Sequence, residues 1–121
     1  MTSGKRFLVV DDDESIAEVI SETLKFALDV DAVDKAYNAE EALSRLHSAK
    51  YDFLITDQCM PGKKGTTLIA EARRIYPSLK ALMVTAFADT QLEKELSDLG
   101  EIGLLVKPFA IDDLIQSIPA N

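Results

Sequence analysis

Five side chains able to do chemistry stand just beyond short apolar runs of this 121-residue chain. Asp11 and Asp12 follow Phe7, Leu8, Val9 and Val10; Asp57 follows Phe53, Leu54, Ile55 and Thr56. Thr85 follows Ala81, Leu82, Met83 and Val84, and Lys107 follows Leu104, Leu105 and Val106. If the first and third runs fold as neighbours, three carboxylates share one small volume. Two carboxylates about 4 Å apart repel by roughly 4 kcal/mol at a surface-like dielectric. Three need a counter-charge, and the single ammonium of Lys107 is too little. A hard divalent cation with oxygen ligands answers that need, and Mg²⁺ is the abundant intracellular candidate. A plainer reading covers Asp11, Asp12, Asp13 and Glu14, which stand where a helix begins: acids there cap the helix and complement its dipole. Capping leaves Asp57 unexplained.

The elements that must position these residues alternate. Four of the runs are nearly continuous in apolar residues, which predicts strands buried on both faces of a parallel sheet. A fifth, around residues 30–33, is interrupted by Asp31 and Asp34 and is expected nearer an edge. Between the runs lie stripes of helical period: Ile16, Ile20, Leu24 and Ala27; then Ala42, Leu43 and Leu46; then Leu68, Ile69, Ala72 and Ile75. Asn38, with Glu41 three residues on, reads as an N-cap with a box-like partner. Pro77 stops a helix after Tyr76 and Gly100 stops another after Leu99. Residues 112–118 form a short last helix ended by Pro119. Five βα units of this kind predict a three-layer α/β fold with right-handed crossovers. Function then belongs at the carboxyl ends of the strands.

Composition narrows the classes. A hydrophobic fraction of 47% and a charged fraction of 28% describe an ordinary globular domain. The net charge of -8 excludes binding by phosphate neutralisation and a basic membrane-surface role. The single cysteine, Cys59, forbids an internal disulfide and a Cys-rich metal site. Without an apolar stretch near 18 residues, and with polar residues 2–6 at the start, neither a membrane span nor a signal peptide is expected. The expectation is one cytoplasmic domain over residues 1–121, its core at about 7–118. His47, the only histidine, sits on a helix as a solvated residue, and Tyr37, Tyr51 and Tyr76 carry no signal.

In four places the residues match a known pattern: Val9-Val10-Asp11-Asp12, the stretch from Asp57 through Met60-Pro61-Gly62 to Gly65, Val84-Thr85-Ala86, and Lys107-Pro108-Phe109. In this order the chain resembles a response-regulator receiver domain of two-component signalling. The resemblance implies the doubly wound (βα)5 sandwich of the flavodoxin/CheY-like type, with a parallel five-stranded sheet of order 2-1-3-4-5. It makes Asp57 the phospho-acceptor for a phosphoryl group carried on a histidine kinase or histidine phosphotransfer protein. Asp11, Asp12, Asp57 and the backbone carbonyl of Cys59 would hold Mg²⁺. Lys107 would pair with phosphoryl oxygens, aimed by a cis peptide before Pro108, and Thr85 would donate a hydrogen bond to one. Phosphorylation would then shift the surface of the fourth helix, fifth strand and fifth helix toward an effector. Such a protein is a switch that catalyses only its own phosphotransfer and dephosphorylation, as a monomer or a phosphorylation-dependent dimer, without nucleic acid or membrane of its own.

Some positions depart from that pattern. Leu104 stands where the family commonly has an aromatic residue that rotates as the Thr85 position moves. Phe87 and Cys59 occupy positions that influence loss of the phosphoryl group, and together are expected to screen water from it. Lys63 and Lys64 form an unusual basic pair ahead of Gly65, and Glu101 replaces a small apolar residue. A haloacid-dehalogenase-type phosphatase needs a second aspartate at position 59, and a flavodoxin-like nucleotide binder needs a glycine-rich loop after the first strand; both are missing. The alternative is a receiver-like protein-binding module that no longer cycles phosphate. The chain is either a stand-alone regulator or a fragment of a longer one.

Overall fold

Apolar runs and amphipathic stripes resolve into ten elements over residues 4–118, the part of the chain that the computed structural model describes. They are β1 (Lys5–Val10), α1 (Glu14–Ala27), β2 (Val30–Ala36), α2 (Ala39–Ser48), β3 (Phe53–Thr56), α3 (Gly65–Ile75), β4 (Lys80–Thr85), α4 (Thr90–Leu99), β5 (Gly103–Val106) and α5 (Ile111–Ser117). All strand pairs are parallel and the order is β2-β1-β3-β4-β5, as expected. Parallel neighbours need crossovers, and α1 to α4 supply them, while α5 follows the last strand.

The sheet divides the interior into two cores. On one face Leu8, Val10, Leu54 and Met83 meet α2, α3 and α4 through Leu46, Leu68, Ile69 and Leu92. On the other Phe7, Val9, Ile55 and Val84 meet α1 and α5 through Ile20, Leu24 and Leu114. Phe7 and Phe53 stack across β1 and β3 with ring centroids 4.7 Å apart. Each fully buried leucine or isoleucine of β1 and β3 contributes about 1.5–3 kcal/mol by leaving water. Burial on both faces explains their unbroken apolar sequence.

Local signals set the helix ends. Asp13 caps α1, accepting from the N–H groups of Ser15 and Ile16. Asn38 caps α2 through Glu41 N–H, and the Glu41 carboxylate returns to Tyr37 N–H rather than to Asn38 itself. Asp89 caps α4, and Gly100, at φ +109°, ends it in a backbone conformation that favours glycine. Tyr76 closes α3 ahead of Pro77.

Four expectations need correction. β5 is not buried on both faces: Leu104 and Leu105 are only half-buried and Val106 is exposed, because β5 is an edge strand with β4 as its one neighbour. Its apolar run reads like a central strand because α5 and the α4 side take up part of each face. The buried stripe of α1 centres on Ala17, Ile20, Ser21 and Leu24, so Ala27 is exposed and Ile16 half-buried. β2 lies at the expected edge but runs on to Ala36, its interrupting Asp34 pairing in register with Leu8. The last helix starts at Ile111, and Pro119 lies outside the described residues.

Candidate functional site

The register of the central strands builds the site. Val10 pairs with Thr56, so the residues just beyond, Asp11 and Asp57, stand side by side at the carboxyl edge. Two backbone bonds carry the ladders one step further: Asp57 N–H to Val10 O at 3.0 Å, and Asp11 N–H to Ala36 O at 3.1 Å. On the other side Thr85 pairs with Val106, and Lys107 N–H donates to Thr85 O at 2.7 Å. The Lys107–Pro108 peptide is cis, as the resemblance implies.

Four of the five side chains converge. The Lys107 ammonium donates to Asp11 Oδ2 at 2.9 Å and lies 3.7 Å from Asp57 Oδ2. Carboxylate oxygens of Asp11, Asp12 and Asp57 all lie within 4.8 Å of one another. Asp11 is buried at 1% exposure and Asp57 at 7%, whereas Asp12 is exposed at the rim. Asp11 Oδ1 also accepts from Asp13 N–H at 2.9 Å, which ties it to the α1 cap. Three hard oxygen donors from two strand ends, one facing solvent, suit a divalent cation that keeps some water.

Thr85 is engaged locally. It is buried, and its hydroxyl donates to Phe87 O at 3.3 Å and accepts from Phe87 N–H at 3.4 Å. Cys59 is exposed and its backbone N–H, with that of Gln58, points to Asp57. Leu104 sits on β5 opposite Met83, within the α3/α4 core.

Burial pushes the Asp57 carboxyl above the usual carboxylate range. The Lys107 ammonium opposes the rise, the Asp11 charge adds to it, and the N–H groups of Gln58 and Cys59 oppose it weakly. Burial wins. Asp57 therefore carries its charge at a cost that an added cation removes.

The loop after β3 is held to backbone tolerance. Thr56 Oγ1 donates to Asp57 O at 2.9 Å, and Gly65 N–H to Gln58 O at 3.1 Å. A Cβ at position 65 would lie 2.2 Å from Asp57 O, which only glycine avoids. Gln58 was not anticipated. Its buried amide accepts from Thr66 N–H at 2.9 Å, supplying the cap that Lys64 at the start of α3 lacks. An amide eight residues before its target leaves no spacing signal. The Lys63 ammonium bonds both Glu71 carboxylate oxygens at 2.8 Å, so that lysine stabilises the loop within the chain.

A family profile described as the response regulator receiver domain matches residues 7–119. The chain belongs to that family. This receiver is 36% identical over 113 residues to a response regulator receiver protein of Anaeromyxobacter sp. (strain Fw109-5), covering 93% of this chain and 46% of that one. Its fold is similar to that of the chemotaxis protein CheY4 of Vibrio cholerae, with TM-score 0.88, 30% identity, and 96% and 97% of the two chains covered. A response regulator of Burkholderia pseudomallei, solved with a phosphorylated aspartic acid and a calcium ion, aligns at TM-score 0.84 and 27% identity over 97% of this chain and 68% of that one. The receiver spans about half the length of the curated relatives it matches.

Other side chains of the receiver face solvent. Phe87 is 70% exposed and Cys59 is exposed, so the apolar screen expected of them is not assembled in this structure. His47 is exposed on α2. Among the described residues no helix is long and apolar enough to cross a membrane.

Proposed function

We propose that the chain is a phosphorylatable receiver in which Asp57 accepts a phosphoryl group from a partner histidine. One Asp57 carboxylate oxygen attacks phosphorus; the new P–O bond forms as the P–N bond breaks, and the electron pair stays on the imidazole nitrogen. Phosphoryl transfer depends mainly on positioning and on neutralising charge. Asp11, Asp12, Asp57 and the Cys59 carbonyl would hold Mg²⁺, which when bound neutralises carboxylate and phosphoryl oxygens together. Lys107, freed in part from Asp11, pairs with phosphoryl oxygens, and Thr85 turns its hydroxyl toward one. The observation that carries this reading is the convergence of three carboxylates and one amine at a strand end, where a raised Asp57 pKa signals unmet need for positive charge.

The donor must approach over the rim. Beside Lys107 lies an apolar groove of about 510 Å³, walled by Ile16, Val19, Pro108 and Phe109. A helix carrying the donor histidine would dock there, beside Lys107. On the output side, the α4, β5 and α5 surface serves an effector, as a cytoplasmic switch rather than an enzyme with an external substrate. Residues 1–121 make up one receiver unit.

The test is labelling by a small phosphodonor such as acetyl phosphate, read by intact-mass and peptide mass spectrometry. One phosphoryl group on Asp57, gained with Mg²⁺ and lost with chelator, is expected, and Asp57→Asn abolishes it. If the intact chain stays unlabelled with Mg²⁺ present, the phosphate-free binding module is the better description.

A further inference from the structure

The receiver's sequence lacks an aromatic side chain in β5, where Leu104 is half-buried in the α3/α4 core. An aromatic residue stands instead two positions beyond Thr85. Phe87 is 70% exposed, and no core cluster includes it. Its backbone is nevertheless tied to the switch hydroxyl at both ends, since Thr85 Oγ1 donates to Phe87 O and accepts from Phe87 N–H. One hydroxyl hydrogen cannot serve the Phe87 carbonyl and a phosphoryl oxygen together. Redirecting it releases the Phe87 carbonyl and opens the turn.

The surroundings confine the response to Phe87. Thr85 is buried at the end of β4, and Asp89 caps α4 through Leu92 N–H at 2.8 Å. Ala88 packs against the core between them. The far end of α4 is fixed as well: the Arg73 guanidinium donates to Leu99 O at 2.8 Å and to Glu101 O at 3.0 Å. Only residues 86–88 separate the two anchors, and Phe87 carries the one large side chain among them. Beside Thr85 in the sheet, Val106 is 45% exposed, and Leu104, two residues back on the same face, is half-buried. Together they form an apolar strip partly open to solvent.

We propose that Phe87 is the aromatic switch of this receiver: when Thr85 turns to phospho-Asp57, the Phe87 ring leaves solvent and settles over Leu104 and Val106. The proposal rests on the reading of Asp57 as phospho-acceptor. It makes the exposed surface beside β5 different before and after transfer, and gives Leu104 the role of a platform instead of a rotor.

The chain contains no tryptophan, so Phe87→Trp places a single reporter. The full chain is treated with Mg²⁺ and beryllofluoride, and separately with Mg²⁺ alone. Emission from position 87 is expected to shift to shorter wavelength only with beryllofluoride. Acrylamide quenching should fall about twofold, in step with a halved exposure. In Phe87→Trp combined with Thr85→Ala, neither change is expected. As a less intrusive probe, 4-fluorophenylalanine incorporated at all five phenylalanines should show the position-87 resonance, assigned by Phe87→Leu, moving most. A chain that is labelled at Asp57 but leaves both probes unmoved overturns the proposal while sparing the phospho-acceptor reading. A response that survives Thr85→Ala overturns it too. Absence of labelling in the unaltered chain removes the phospho-acceptor reading and the switch with it.

Discussion

Replacing Lys107 by methionine isolates the electrostatics of the site, because methionine keeps much of the length and apolar stem and deletes the charge. The ammonium lies 2.9 Å from Asp11 Oδ2 and 3.7 Å from Asp57 Oδ2. At an effective dielectric near 20 these separations correspond to attractions of about 6 and about 4–5 kcal/mol. Burying the ammonium itself offsets several kcal/mol of that. The two carboxylate side chains are 2% and 8% exposed and the lysine 16%, so solvent screening is small but real. The net loss expected for Lys107→Met at neutral pH in EDTA is about 2–4 kcal/mol, the cost of leaving two buried carboxylates uncompensated. Urea denaturation followed by circular dichroism measures it, with an unchanged slope showing that the unfolded state is not altered. Saturating Mg²⁺ should restore more stability to the variant than to the parent, since a divalent ion takes over the missing charge.

Double-mutant cycles sharpen the test. Coupling of Lys107 to Asp11, measured with Asp11→Asn, should exceed coupling to Asp57, measured with Asp57→Asn, following the two distances. A loss below about 1 kcal/mol, the range of solvent-exposed pairs, would refute the claim that this amine neutralises a buried cluster. Equal rescue of both proteins by Mg²⁺ would refute it as well.

Further outcomes follow from the same geometry. The folded chain holds the Asp57 proton more tightly than the unfolded chain does, because burial raises its pKa. Stability from this group is therefore lost as pH rises from the ordinary carboxylate pKa through the raised one. Asp57→Asn should thus stabilise the metal-free protein at pH 7 and not at acid pH; thermal melts across pH in EDTA check this, and a destabilised Asn variant at pH 7 contradicts it. Gly65→Ala drives a methyl to within 2.2 Å of Asp57 O, so a loss of about 1–3 kcal/mol with slower phosphodonor labelling is expected; unchanged melting would show that the loop yields freely. Arg73→Gln removes donors to Leu79 O, Leu99 O and Glu101 O, and should cost about 2 kcal/mol while hydrogen exchange rises at residues 97–101. Ser21 Oγ is the one buried side-chain polar atom without a hydrogen-bond partner among the described residues. Ser21→Ala is therefore expected to gain up to about 1 kcal/mol, and a loss in urea denaturation would point to a partner.

The central strands were legible because their burial is symmetric. From Phe7 to Val10 in β1 and from Phe53 to Ile55 in β3 both faces are covered and every residue is apolar, so the acid that closes each run marks the strand end. Parallel pairing then brings those marks to one edge, which is why Asp11 and Asp57 were readable as neighbours and Lys107 as their counter-charge. The edges were less legible. Gly103–Val106 has the composition of a central strand but only β4 to pair with, and pairing partners are a tertiary fact that local composition does not record. The buried face of α1 was misplaced by part of a turn because Ser21 and Thr23 are buried while Ala27 is not, and a stripe drawn through apolar residues alone follows the wrong side chains.

Of the site itself, what the sequence concealed was the connection between its parts. Residue types at strand ends announce which groups meet; they do not announce which hydrogen bonds those groups already have. Thr85 was placed by its strand, yet its hydroxyl is engaged with Phe87, two residues away in sequence and on the solvent side. Asp11 was expected to hold a cation, yet its Oδ1 is taken by Asp13 N–H and its Oδ2 by Lys107, and only the exposed Asp12 stands open at the rim. A cation entering from solvent therefore meets Asp12 first and must compete with an ammonium for Asp11. That order follows from burial and occupied lone pairs, and it makes the affinity for a divalent ion depend on Lys107: removing the amine frees Asp11 Oδ2 and should tighten binding, even as it weakens the fold.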